Sequence, residues 1–164
     1  MRTHQGRERR TAGFTLVELM VVLAIMGLLA LVAVPSFGTG FEARLDLVEI
    51  QVRDAFDRAS ALARSTRETH GVVFDTTTER FAVVDKTGAP VVDPLTKGDY
   101  VVDFDRPDQP KSINIYSASF GANGVAAIYD GQGLPVDGGE VVIACKSSSR
   151  TLLLDRATGK VSIP

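Results

Sequence analysis

One carboxylate stands alone in this chain. From Phe14 to Val34 the sequence reads FTLVELMVVLAIMGLLALVAV, 21 residues in which Glu18 is the only ionisable group. An isolated carboxylate in an apolar helix has one chemistry open to it, pairing with a cation or a strong hydrogen-bond donor. Near the centre of a bilayer it costs about 2.5 to 3.5 kcal/mol, so an intramembrane Glu is expected to have a partner and a role. The simpler alternative is positional. Glu18 lies four residues after Phe14, about 6 Å along a helix, where it can rest in the head-group zone at small cost.

Other residues of chemical interest are weaker candidates. Asp93, Asp99, Asp103, Asp105 and Asp108 crowd the segment around Tyr100 to Pro110, and clustered loop carboxylates are what calcium takes as hard oxygen ligands. No Asp-x-Asp-x-Asp-Gly loop with a distal Glu accompanies them, and Asp is common in turns because its side chain caps local backbone donors. Lys146, Arg150, Arg156 and Lys160 form a basic strip without interleaved aromatics, which reads as a solvated hairpin rather than a nucleic-acid footprint. His70 and Asp75 are close in sequence, but Ser60 and Ser65 lie on a helix with no catalytic motif around them, so no enzyme is expected. Cys145 is the only cysteine; it excludes an intrachain disulfide and, sharing a face with Val141 and Ile143, is expected to be buried. His4 and His70 are the only histidines, so no zinc set exists, and no metal or cofactor is expected.

These residues must be carried by at least two kinds of element. Of the 164 residues, 45% are apolar and 23% charged, which fits one modest globular domain with additions at the ends. Residues 1–13 hold Arg2, Arg7, Arg9 and Arg10 against Glu8, a charge of +3, leaving 14 cations against 19 anions, or −5, in the rest. An acidic body disfavours nucleic acid as a partner. The apolar run spans roughly 31 Å as a helix, enough for a bilayer, and the basic stretch before it places the N-terminus in the cytoplasm and everything after Pro35 outside. A secretory signal peptide usually has a shorter apolar region ending in an Ala-x-Ala-like site, whereas this one ends in Val34-Pro35-Ser36. Arg9-Arg10 hints at a twin-arginine signal, but the strong hydrophobicity from Phe14 counts against it. A plain membrane anchor explains the length and leaves Glu18 unexplained.

The run Ala12-Gly13-Phe14-Thr15-Leu16-Val17-Glu18 resembles the processing motif of type IV prepilins and type II secretion pseudopilins. The resemblance implies cleavage between Gly13 and Phe14 by a prepilin peptidase, N-methylation of Phe14 by the same enzyme, and a subunit-assembly role for Glu18, whose carboxylate would neutralise a neighbour's new amine. It implies a proline-linked helix kink at Pro35, other pilin or pseudopilin subunits and an inner-membrane assembly platform as partners, and a single-pass inner-membrane protein whose C-terminal domain is periplasmic. Major pseudopilins also resemble calcium-binding proteins in a C-terminal loop. Tyr129-Asp130-Gly131-Gln132-Gly133-Leu134-Pro135, the strands at 141–144 and 150–155 and the Thr158 to Val161 hairpin resemble the GspH/FimT group of minor pseudopilins and minor pilins, over roughly the last third of the chain.

The expected organisation follows. Residues 1–13 are the leader, 14–34 the transmembrane and assembly helix, 35–66 its amphipathic continuation and 67–164 a β domain. Pro35, Gly38 and Gly40 can kink or unwind the helix. Beyond them Phe41, Leu45, Val48, Val52, Phe56, Ala59 and Ala63 form one stripe, with Glu42, Arg44, Asp46, Glu49, Arg53, Asp54, Asp57 and Arg58 opposite as a solvated face, and Glu49/Arg53 and Asp54/Arg58 at i,i+4 spacing. After Gly71, about eight runs of period two predict antiparallel strands, giving an α+β fold in which a long N-terminal helix packs on antiparallel sheet, as in pilins.

Overall fold

The computed structural model describes residues 15–33 and 39–164. Gly13, Phe14 and Pro35, where cleavage, methylation and the kink are expected, lie outside the described residues. The chain divides into two units, with the boundary between Gly38 and Thr39.

The first unit contributes helix α1, Leu16–Ala33, 18 residues and about 27 Å. Leu, Val, Ile, Met and Ala fill it, and Leu and Met, unbranched at Cβ, favour the helix where β-branched Val and Ile weaken it. Every described side chain from Thr15 to Leu28 is exposed. Among the described residues no helix is long and apolar enough to cross a membrane; Phe14 and Val34, which complete the apolar run, are not among them.

The second unit is a helix on two antiparallel sheets. Helix α2, Thr39–Thr66, buries Leu45, Val48, Val52, Ala55, Phe56, Ala59 and Ala63, the expected stripe with Ala55 added and Phe41 half-covered at its start. Its C-terminal half carries small residues inward, so the backbone can lie close to the sheets. The strands are β1 (His70–Asp75), β2 (Arg80–Val84), β3 (Val101–Asp103), β4 (Ile113–Ser119), β5 (Ala126–Tyr129), β6 (Gly139–Cys145), β7 (Ser148–Leu154) and β8 (Val161–Ser162). They match the eight alternating runs of the sequence.

The strands form two sheets, ordered β3-β2-β1-β5 and β4-β6-β7-β8, with every pairing antiparallel, as expected. Large apolar residues bridge the two sheets. Phe74 of β1 touches Phe56 of α2, Phe81 of β2 and Phe120 after β4, with ring centroids 5.9, 5.7 and 5.8 Å apart, and Phe81 continues the chain to Phe104 at 5.9 Å. This aromatic row joins helix and both sheets into one core, at spacings where tilted and offset rings attract. Cys145, fully buried in that core beside Ile143, is a structural thiol.

Candidate functional site

Glu18 sits in the first turn of α1, and its position is set by the residue before the helix. The Thr15 amide donates to Glu18 Oε2 at 2.9 Å and the Thr15 hydroxyl to the same oxygen at 3.0 Å, while the Glu18 amide donates back to Thr15 Oγ1 at 3.3 Å. This is a reciprocal capping box, in which residues three apart satisfy amides that the helix leaves without a partner. A carboxylate at this end also meets the positive pole of the helix. Both effects lower the cost of a charge in an otherwise apolar element. Thr15 is the residue the motif reading passed over, although Thr15-Leu16-Val17-Glu18 is the spacing by which a capping box is recognised in sequence.

The result is a helix with two unmet requirements. Its side chains from Leu16 to Leu28 include ten exposed large hydrophobics, far more than water tolerates on one element, so they call for lipid or for other apolar helices. Its one carboxylate is turned back toward the start of the helix, available to a donor approaching there.

The remaining candidates resolve into structural roles. Asp93 accepts from the Leu95 amide and the Thr96 hydroxyl, and Asp103 from the Asp105 amide, so these loop carboxylates are engaged with their own turns. Asp75, Asp85 and Asp155 do the same with Thr78, Thr87 and Thr158. Among the described residues no group of three or more His, Cys, Asp or Glu is arranged to hold a metal ion. His70 is buried with Nδ1 3.2 Å from the Glu68 carbonyl, Ser60 donates to the Gly133 carbonyl at 2.7 Å, and Ser65 donates to the Leu62 carbonyl one turn back. None of these serines meets a base.

The charged side of α2 and the basic strip need correction. Arg150 of β7 reaches α2 and donates to Asp46, Glu49 and Glu42 at 2.5, 2.7 and 3.3 Å. Lys146 lies 4.9 Å from the centre of the Phe41 ring. Half of the strip is therefore spent on holding α2 to the second sheet. Glu49 and Arg53 pair as the spacing predicts, at 2.9 Å. Asp54 instead accepts from the Tyr100 hydroxyl at 2.7 Å; burial first, and then this bond, pushes that phenol up. Sheet strands brought under the helix supply partners that i,i+4 counting cannot foresee.

Comparison with known proteins bears on both units. Residues 9–34 match the family described as the prokaryotic N-terminal methylation motif. The chain is similar in fold to the type IV minor pilin FimU of Pseudomonas aeruginosa strain PAO1, with a TM-score of 0.51 at 13% identity over 75% of this chain and 89% of that one. A second crystal form of FimU gives a TM-score of 0.46 at 12% identity over 68% and 86%. The chain thus carries a prokaryotic N-terminal methylation motif and shares the fold of a minor pilin, in which an amphipathic helix lies on antiparallel sheets.

Proposed function

We propose that this chain is a minor pseudopilin of a type II secretion system, a structural subunit of a short periplasmic fibre that drives the export of folded proteins. The observation that carries the fibre-subunit reading is Glu18: one carboxylate, held by Thr15 at the start of an apolar helix whose described side chains are exposed. In this reading the helix lies in the inner membrane with its N-terminus cytoplasmic. A prepilin peptidase cuts between Gly13 and Phe14 and methylates Phe14. The new amine of one subunit then meets the Glu18 carboxylate of another, and each charge entering the apolar fibre core has a partner.

The reading is tested by mass spectrometry of the protein from its own membranes. A chain beginning at a methylated Phe14 is expected. An unmethylated chain beginning at Met1 would sink it in favour of a membrane-anchored binding or enzymatic domain. Glu18→Ala tests the pairing. Removing one member of a buried charge pair costs about 3 to 5 kcal/mol, so the variant should stay in the membrane and be lost from sheared fibres, with the second unit still folded. Normal incorporation would falsify the pairing.

A minor pilin of a type IV pilus, acting in fibre initiation, adhesion or DNA uptake, is the second reading, and the fold shared with a type IV minor pilin is compatible with it. Deletion separates the two. Loss of protein secretion supports the pseudopilin, and loss of twitching and transformation supports the pilin.

A further inference from the structure

The end of the second unit where α2 begins carries cations that pair with no acid. Three segments meet there: the first turns of α2, the residues just before β4, and the turn between β6 and β7. Arg44 donates to the Lys111 carbonyl at 3.1 Å, and Lys146 lies 4.9 Å from the centre of the Phe41 ring, whose other neighbour is the Arg44 guanidinium at 5.8 Å. Among the described residues Arg44, Lys111 and Lys146 form no ion pair. A ring holds a cation in place and leaves its charge intact.

The anions of this end are already engaged. Glu42, Asp46 and Glu49 face Arg150, and Glu49 also meets Arg53. Asp108, in the loop that leads to Lys111, lines a groove beside Gln51, about two turns further along α2. Five cations therefore stand here against three anions, +2, while the rest of residues 39–164 holds nine against 15, or −6. This basic end is also the tethered one. Residues 34–38 join Ala33 to Thr39 and reach at most about 22 Å. However the second unit turns, its first helical turns are the part held nearest to whatever holds α1.

We infer that this end of the second unit rests on anionic phospholipid headgroups of the membrane that holds α1, with Arg44, Lys111 and Lys146 as the contacts. Lipid phosphate is the occupant because the tether brings these cations to the membrane surface and the signs are complementary. The same surface repels the remaining, acidic parts of the unit, so the contact fixes which end faces the bilayer. A subunit waiting in the membrane is then held with the turn between β7 and β8 outward, and it gives up these headgroups when it leaves the bilayer. The inference rests on the membrane placement of α1 proposed above and adds to it the orientation of the soluble unit.

The test uses the full-length chain in nanodiscs of phosphatidylcholine or of phosphatidylglycerol, each with a trace of phospholipid bearing a photoreactive headgroup. Mass spectrometry then locates the lipid links. Links at residues 41–44, 111–112 and 146–148 are expected to be at least about tenfold more frequent in the anionic discs, where all three cations are attracted. They should fade as salt rises from about 0.1 to 1 M and the screening length falls from roughly 10 to 3 Å. Lys111→Gln with Lys146→Gln, both exposed and outside the core, should lower them by at least about fivefold. Arg156→Gln with Lys160→Gln, in the turn at the far end of β7, should leave them unchanged. Links that ignore headgroup charge, that persist in the Lys111→Gln, Lys146→Gln chain, or that fall as often on residues 155–160 would overturn the contact. A chain that alkaline carbonate washes off its host membranes tells against the place of α1 in the bilayer; a chain that stays embedded and lacks these links tells against the contact alone.

Discussion

Arg150 shows how much one side chain organises. Its guanidinium, 20% exposed, faces Glu42, Asp46 and Glu49, which lie on one side of the first half of α2. Donation to Asp46 and Glu49 pushes Arg150 above even its usual value, and the fork geometry suits several carboxylates at once. Arg150→Ala leaves three like charges together with only Arg53, bound to Glu49, as a counter-ion, and the other two are well exposed and screened by water. The expected loss is about 1 to 2 kcal/mol in thermal unfolding, well short of a fully buried pair. Arg150→Lys should recover only part of it, because an ammonium cannot fork. The turn carboxylates act at the same scale. Thr78 and Thr87 hydroxyls donate to Asp75 and Asp85, and the Leu95 and Thr158 amides to Asp93 and Asp155, holding all four below the usual carboxylate value. A folded value below the unfolded one contributes stability above the unfolded value, and that stability is lost as pH falls through the folded one. Melting temperature should stay level from pH 7 to about 5 and fall below about 4, near the unperturbed Asp value. Asp75→Asn with Asp155→Asn should make the fall shallower; an unchanged acid limb would show that these turns carry no part of it.

At the scale of elements, the contact between α2 and the loop after β5 sets the tolerances. Gly133 has a φ of 75° and is buried beneath the helix, where its carbonyl accepts from Ser60 Oγ at 2.7 Å. A Cβ there would stand 2.7 Å from the Ser60 carbonyl oxygen. Gly133→Ala therefore meets both backbone strain and a backbone clash, and an equilibrium denaturation curve should show a loss of roughly 2 kcal/mol or more, against little change for exposed Gly88→Asn, whose side chain tolerates the left-handed region. The Asp130-Gly131-Gln132-Gly133 run already reads as a turn in sequence. That it is pressed against a helix some 70 residues earlier does not. The second sheet illustrates the same limit. Period two identifies Ile113, Ile115, Val141, Ile143, Leu152 and Leu154 as inward residues, but which strands share hydrogen bonds depends on the Phe74–Phe120 contact between sheets. Glu79, in the β1–β2 turn, donates nothing to a local motif; its carboxylate accepts from the Ile115 amide of β4 and ties the two sheets together.

The whole molecule consists of two units with different solvents. Residues 39–164 carry 14 cations and 18 anions and enclose a continuous core, as a soluble domain requires, while the described apolar side chains of α1, from Leu16 to Leu28, are exposed. A fragment of residues 39–164 should therefore be soluble without detergent and unfold in one cooperative transition by circular dichroism. The full chain should need detergent to remain dispersed. Aggregation of the fragment, or a gradual melt, would mean that the second unit depends on the first.

The sequence by itself determined the features that depend on neighbours along the chain. These are the basic stretch before an apolar helix, the solitary Glu18, the buried stripe of α2, the eight strands and the buried Cys145. Each follows from local period or from transfer of a side chain out of water, and both are properties of short segments. The tertiary structure alone decided the split into two sheets, the capture of Glu42, Asp46 and Glu49 by Arg150, and the tie from Glu79 to β4. Those depend on residues about 100 positions apart meeting in space, and nothing in a local pattern records which distant cation a carboxylate will find. Glu18 belongs to both accounts: its isolation and its capping-box spacing from Thr15 are plain in the sequence, and the bonds between the two form once the helix is built.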